Sequence, residues 1–394
     1  MRRKKHSKGY DRQSIADFRA NIDNEIEDLH NELVSGSYSP RYIKGVALEK
    51  SPGKHRGIKV LSVRDRVVQR SIVDNIGPIL NKQYNLNNKT SFAYLEEEST
   101  YSAISQIDSY YKQGNIFAYM GDIKKFFDTV NRSILLNDMI FPFLPKDERL
   151  RQLIIKSMEI ELGNRKQLES QGIDVNNVFP EPHIGLPQGG MLSPLFSNVY
   201  LNSFDEAMIE ANFNLVRYAD DFIVMCDSKE TALKAERLAR KVIEKELGLT
   251  LHESVFHYKY SKDKSYIGRI KHIEFLGIRL NEGVMYPSGD AFKKLTKKLR
   301  KLPDRTKSLS WNLSYMQDRV DSWGATYHFT KIKPNFYEAI NKELENTLKR
   351  TFQYFQLRFV KKKISNFTMK RLGFKYFDQS VSYYFEKNKE KEEK

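Results

Sequence analysis

Two short apolar, β-prone runs, 215–217 and 222–226, flank Tyr218-Ala219-Asp220-Asp221, which predicts two strands joined at an acidic turn. Toward the N-terminus the period lengthens. Residues 15–33 read as an amphipathic helix closed by Ser35-Gly36-Ser37. Residues 41–62 alternate and are split by Ser51-Pro52-Gly53-Lys54-His55, which predicts a β-hairpin with Lys54 and Arg56 near its tip. A helix follows over 65–80, with Val68, Ile72, Ile76 and Ile79 on one face. Another helix is expected over 99–113, then a strand over 116–123 with Asp122 near its end and Asn131 capping the next helix.

Beyond this point periodicity lapses and returns. Residues 162–181 are polar and aperiodic and read as a surface insertion, and the Gly/Pro-rich stretch 185–194 opens a helix over 195–210. Ala235, Leu238 and Val242 mark a helix through 245. Three strands are expected over 249–257, 264–270 and 273–280, the last containing Phe275-Leu276-Gly277. From 290 the chain is helical. Leu313, Met316, Val320, Trp323 and Tyr327 share one face, and Pro334 starts a helix whose stripe is Phe336, Ile340, Leu344, Leu348, Phe352 and Phe355. Such stripes are packing surfaces between helices.

Composition narrows the class. A length of 394 residues predicts two or three subdomains, and 40% hydrophobic residues with 12% aromatics supply a core. The net charge of +16 calls for an anionic partner. Residues 284–394 hold 25 Lys/Arg against 12 Asp/Glu, so +13 of that charge is concentrated there. Residues 1–10 carry five Lys/Arg, as a flexible tail or an RNA-contacting arm; the Glu/Lys run from 386 has the composition of a disordered tail. Cys226 is the sole cysteine, which excludes an internal disulfide and a cysteine-based zinc site. No run of 18 apolar residues predicts a membrane span, and the basic start lacks the apolar core of a secretory signal, so a cytoplasmic setting is expected.

Adjacent carboxylates at a turn repel one another unless a cation offsets them, and Mg²⁺ takes one or two carboxylates plus substrate phosphates. Asp122, on a separate strand, is the best third ligand. Lys54, Arg56, Arg64 and Arg66 are either phosphate contacts or surface charges, and the same choice holds for Lys361, Lys362 and Lys363. His252, His257 and His272 have spacings that match no helical metal-ligand pair.

The order of these pieces resembles the reverse transcriptases, most closely those of the bacterial group II intron type. The residues that carry the resemblance are Ser62-Val-Arg-Asp-Arg-Val-Val-Gln69, Ser91-Phe92-Ala93-Tyr94, Asp122-Ile-Lys-Lys-Phe-Phe-Asp128, Leu186-Pro-Gln-Gly-Gly-Met-Leu-Ser-Pro194, YADD, Phe275-Leu276-Gly277 and Trp323-Gly324 with Tyr327. It implies an α+β right-hand polymerase with fingers and palm on an antiparallel sheet and a helical thumb. The corresponding divisions are a basic tail and helix at 1–40, fingers and palm at 41–283, thumb and basic region at 284–375, and a tail at 376–394. It implies that Asp122, Asp220 and Asp221, with the Ile123 backbone, hold two Mg²⁺ ions that serve the primer hydroxyl and the leaving pyrophosphate. By the same resemblance Phe127 excludes a 2′-hydroxyl, Gln188 and Gly189 lie under the templating pair, and Arg64 with Lys54 or Arg56 takes the dNTP triphosphate. Phe275, Leu276 and Gly277 match the primer grip.

Departures bear on the subtype. Leu251-His-Glu-Ser-Val-Phe256 replaces the family's Asn-Pro-x-Lys-Thr-like stretch, so the resemblance assigns no general-acid lysine, and Lys259 is one candidate. The sequence shows no endonuclease motif after the thumb, no Val-Thr-Gly signature of retron enzymes, and Ser193-Pro194 where diversity-generating enzymes usually have Ser-Gln. The expectation by exclusion is a stand-alone enzyme of antiviral defence that binds a dedicated noncoding RNA as template and makes cDNA from dNTPs. The competing expectations are template-independent or protein-primed synthesis of the abortive-infection type, and a maturase-like RNA-binding protein.

Overall fold

The computed structural model describes residues 8–355, except 52, 180, 182 and 257–264, together with residue 382. Lys259, His257 and Lys361, Lys362 and Lys363 lie outside the described residues. The chain divides into two compact units, one built on residues up to 99 and on 117–256 with 265–267, the other on 100–116 and residues from 268 onward.

The first unit contains a hairpin of β1 (Lys44–Ser51) and β2 (Lys54–Val60), paired antiparallel, as the alternation predicts. Its main sheet has β3 (Phe117–Asp122), β4 (Asn214–Tyr218), β5 (Asp221–Cys226), β6 (Ser254–Val255) and β7 (Ser265–Arg269) in the spatial order β4-β5-β3-β7-β6. β5 is antiparallel to both neighbours, and β6 and β7 run parallel. Phe222, Val224 and Cys226 alternate onto one face of β5 and join a core with Phe196, Phe204, Met208, Ala235 and Ile243 from the helices. Burying each large apolar side chain there contributes about 1.5–3 kcal/mol.

Helix boundaries differ from the sequence expectation where apolar periodicity runs across a break. The expected helix at 15–33 is two, Ile15–Ala20 and Ile22–Ser35, because Asn21 leaves helical geometry at φ −127° and ψ 35°. The expected helix at 195–210 is likewise two, Ser193–Tyr200 and Asn202–Glu210, jointed at Leu201. The Val63–Tyr84 helix is longer than expected, since Ser62 caps it by accepting the Asp65 N–H.

Residues 162–181 are more than a surface insertion. They form the short helices Arg165–Ser170 and Val175–Val178, and Leu168, Val175 and Phe179 make a small core that packs against Ala47 of β1. Asn164 accepts the Gly45 N–H at 2.7 Å and donates to the Gly45 carbonyl at 2.9 Å, so this segment buttresses the hairpin. Its apolar residues are too few and too irregularly spaced to show a period.

In the second unit the expected strand at 273–280 is instead a hairpin. β8 (Lys271–Phe275), β9 (Ile278–Asn281) and β10 (Val284–Pro287) form an antiparallel sheet, and Leu276 and Gly277, both at positive φ, turn the chain between β8 and β9. The helix Thr100–Lys112 belongs to this unit. Three helices follow, Gly289–Arg300, Leu309–Tyr327 and Pro334–Tyr354. Met316, Val320, Trp323, Ile340, Leu344, Leu348 and Phe352 meet Phe292 and Leu299 in their core, as the stripes predict. Phe355 falls just past the last helix as its C-cap. No helix among the described residues is long and apolar enough to cross a membrane.

Candidate active site

The three aspartates come together through strand register. β4 and β5 pair Tyr218 with Asp221, leaving Ala219 and Asp220 as a two-residue turn with Ala219 at φ 59°. β3 and β5 pair Asp122 with Asp221. Both carboxylates stand on the sheet face of Met120 and Ile223, opposite the face that packs Phe222 and Val224. Beyond β3, Ile123 bridges Leu251 through bonds from Lys124 N–H to the Thr250 carbonyl and from His252 N–H to the Asp122 carbonyl. The Ile123 carbonyl is therefore turned away from that segment.

This clustering is electrostatically expensive. Asp221 is pushed up to about 7, first by the protein crowding it and then by Asp220 and Asp122. Asp220 is also raised, chiefly by burial. Arg56 and Lys50 of the hairpin oppose both shifts, which places the hairpin's cations toward the carboxylates. Asp221 remains open to solvent, and water screens part of its rise. Lys50 went unnoticed in the sequence because nothing distinguishes it from other lysines of a hairpin.

A buried network fixes the acidic turn. Arg217 is fully buried, with a bidentate bond to Asp205 at 2.6 and 2.5 Å and further bonds to Asn198 and to the Ala219 carbonyl, both at 3.1 Å. Asn198 donates to the Ala93 carbonyl at 2.9 Å. A buried arginine is expensive unless every donor is engaged, and this fork geometry engages it. In the sequence Arg217 is one more residue of a strand.

The Gly/Pro-rich loop is locked to the segment after β3. Phe127 rests half-buried beside the buried ring of Phe126, and its carbonyl accepts the Leu186 N–H at 2.6 Å. A Cβ on Gly185 would stand 2.3 Å from that carbonyl, so only glycine permits this approach. Gln188 donates to Asp128 at 3.3 Å and accepts the Lys59 N–H through its carbonyl at 2.7 Å, while Gly189, at φ 113°, lies against the Lys59 carbonyl. Gln69 accepts the Met191 N–H at 2.8 Å, and the Arg132 guanidinium holds the Gly185 carbonyl at 2.7 Å. Lys59, Gln69 and Arg132 are thus supports that the sequence reading did not single out. Burial pulls the Lys59 ammonium down to about 8.

The cations expected to take a triphosphate are not equivalent. Lys54 and Arg56 are exposed on β2, whereas Arg64 is buried, ion-paired with Glu32 and seated over the Tyr38 ring at 5.6 Å. Its guanidinium is committed to the packing of the N-terminal helix. His252 stands 3.6 Å from Asp122, a neighbour that no spacing in the sequence indicates. Phe275, Leu276 and Gly277 sit at the β8–β9 turn of the second unit.

Among the described residues no three acidic, histidine or cysteine side chains form a ready cage for a metal ion. The donor set nevertheless suits Mg²⁺, which takes few protein ligands and completes its shell with water and substrate phosphates. The raised Asp221 marks excess negative charge that a divalent cation would offset.

A family model described as "Reverse transcriptase (RNA-dependent DNA polymerase)" matches residues 48–280. Protein YkfC of Escherichia coli (strain K12) is 31% identical over 209 residues, covering 52% of this chain and 51% of that protein. The group II intron-encoded protein LtrA of Lactococcus lactis subsp. cremoris is 23% identical over 220 residues, covering 55% of this chain and 34% of LtrA. The matches therefore span about half of the first relative and a third of the second. Among solved structures, telomerase from Candida albicans with a fragment of telomeric RNA aligns at a TM-score of 0.44 and 12% identity, over 80% of this chain and 60% of that one. The family model takes in β2, the Gly/Pro-rich loop and all three aspartates, and the chain belongs to the reverse transcriptase family, with group II intron-encoded proteins among its relatives.

Proposed function

We propose that this protein is an RNA-directed DNA polymerase. The observation that carries the reading is the placement of Asp122 opposite Asp221, with Asp220 at the adjoining turn, beside a loop locked to Phe127. Asp122, Asp220 and Asp221, with the Ile123 carbonyl, would hold Mg²⁺. Bound there, the metal supplies Lewis-acid stabilisation of charge during phosphoryl transfer. The protein's own part is positioning. Arg56, Lys54 and Lys50 attract the dNTP triphosphate; Phe127 fills the space of a 2′-hydroxyl; Gln188 and Gly189 support the templating pair. Phe275, Leu276 and Gly277 are assigned to the primer strand. Arg64 is retained as a fingers residue with an indirect part, since its charge is spent on Glu32. Extension of a DNA primer on an RNA template by purified protein tests the reading. Loss of extension in Asp220→Asn/Asp221→Asn with an unchanged fold is expected, and full extension by that variant would refute it.

We propose further that the template is one dedicated noncoding RNA and that its cDNA serves antiphage defence in the cytoplasm. The support is the +13 charge over 284–394, including Lys361, Lys362 and Lys363, which suits a phosphate backbone held outside the catalytic sheet. RNA crosslinked in cells and washed at raised salt should be dominated by one species with antisense cDNA. A diffuse set of RNAs, or phage restriction that survives the aspartate substitutions, would overturn this part.

A further inference from the structure

The segment before the Thr100–Lys112 helix carries a feature that the assigned roles do not use. Residues 90–93 run beside β4 as a short parallel edge: Arg217 N–H donates to the Thr90 carbonyl at 2.7 Å, and Phe92 N–H donates to the Arg217 carbonyl at 2.9 Å. Ser91 is level with Arg217, so three residues further on Tyr94 emerges beside the Ala219-Asp220 turn. The Asn198 bond to the Ala93 carbonyl, and the Arg217 bonds to Asn198 and Ala219, tie both segments to one buried anchor.

Tyr94 is unusual in two independent ways. Its φ of 66° lies in the left-handed region, which a bulky side chain occupies only at a cost. The residue is 53% exposed, and among the described residues its hydroxyl makes no hydrogen bond, so packing of the side chain does not explain the strain. The phenol's pKa is raised, first by partial burial and then by the negative charge of Asp220, consistent with its position beside the turn. Strained residues persist where the surrounding structure enforces them, and they cluster at ligand-handling sites.

We propose that Tyr94 is a nucleotide-contacting residue whose ring packs against the sugar or base of the nucleotide held at Asp220 and Asp221. An exposed aromatic face beside phosphate-handling groups is suited to stacking on a nucleoside irrespective of its base. The nucleoside belongs either to the incoming dNTP or to the primer 3′ end, and the two sources separate in the assay. The inference rests on the polymerase reading proposed above.

Tyr94→Gly removes the ring and suits the left-handed backbone, so it should fold with a melting temperature within about 2 °C of wild type. With the ring gone, the KM for dNTP or the Kd for a primer–template duplex should rise about fivefold or more. A rise in KM alone assigns the ring to the dNTP, and a rise in Kd alone assigns it to the primer end. Tyr94→Phe, which returns the ring, should restore most of the lost affinity. The inference is overturned if Tyr94→Gly keeps both constants within twofold, if Tyr94→Phe is as impaired as Tyr94→Gly, or if Tyr94→Gly melts many degrees lower. A wild-type protein that binds the duplex but extends nothing would count against the polymerase reading, and the duplex Kd of Tyr94→Gly would still decide the role of the ring in binding.

Discussion

Gly121→Ala should damage the candidate active site through packing. Gly121 is paired with Phe222 across β3 and β5, and the next pair along is Asp122 with Asp221. A Cβ at position 121 would stand 2.0 Å from Cζ of Phe222 and 2.5 and 2.6 Å from its Cε atoms. Ordinary contact begins near 3.4 Å, so the ring would have to retreat by the difference, about 1.4 Å. It has little room to do so. Phe222 is buried, with Phe204 and Tyr119 at centroid distances of 4.8 and 5.6 Å. Overpacking of this kind costs about 1–3 kcal/mol, which is roughly 2–10 °C in melting temperature. The activity loss should exceed what that instability explains, because misplacing reacting groups by about 1 Å can cost 10²-fold in rate. Differential scanning fluorimetry and single-nucleotide extension below the melting transition would measure the two effects. Phe222→Leu in the same chain shortens the side chain and should recover part of both losses. A Gly121→Ala protein with wild-type melting and extension, or a double variant worse than the sum of the singles, would refute the packing argument.

The remaining predictions concern charge, the proposed nucleotide gate and the buried anchor. Because Asp221 is raised above its unfolded value near 3.8, the folded state binds the extra proton, and stability without divalent cation should fall as pH rises from about 4 to 7. Asp221→Asn should abolish this component, so its melting advantage over wild type in chelator grows over that window and levels off above it; a difference independent of pH would contradict the assignment. Phe127→Val should admit ribonucleotides while the protein stays folded, measured as the ratio of rNTP to dNTP incorporation, and unchanged discrimination would dismiss the gate. Arg217→Met leaves Asp205 buried and unpaired and should cost about 3–5 kcal/mol in chemical denaturation, whereas Arg217→Met/Asp205→Leu should cost less. Equal losses in the single and double variants would remove the buried pair as the cause.

The elements that carry the candidate site are legible in the sequence because each has a strong local signal. The YADD turn is bounded by two apolar runs, the hairpin of Lys54 and Arg56 is marked by Pro52-Gly53, and the loop at 185–190 is marked by its glycines. What stayed hidden depends on contacts distant in sequence. Arg217 meets Asp205 and Asn198 only when the helices fold onto the sheet, and His252 reaches Asp122 only through the Ile123–Leu251 bridge. The breaks at Asn21 and Leu201 were invisible because apolar periodicity continues through both. Arg64 shows the converse. Its place in a family motif points to a phosphate, and the fold adds Glu32 and Tyr38, about 30 residues earlier, as partners of its guanidinium.

The hydrophobic pattern also sets the geometry of the acidic cluster. Side chains alternate across a strand, so Phe222, Val224 and Cys226 must face the helices together, and Asp221, Ile223 and Met225 must face the other way. On β3 the same rule puts Asp122 with Met120 and Ala118. A slip of one residue between β3 and β5 would set Phe222, rather than Asp221, opposite Asp122 and place a large apolar ring among the charges. The burial of Phe222 against Phe204, and the absence of a side chain at Gly121 to receive its ring, both oppose that slip. The acidic pair therefore needs no metal to find its register. Apolar packing brings Asp122 opposite Asp221, and the repulsion left in the cluster is what a cation would relieve.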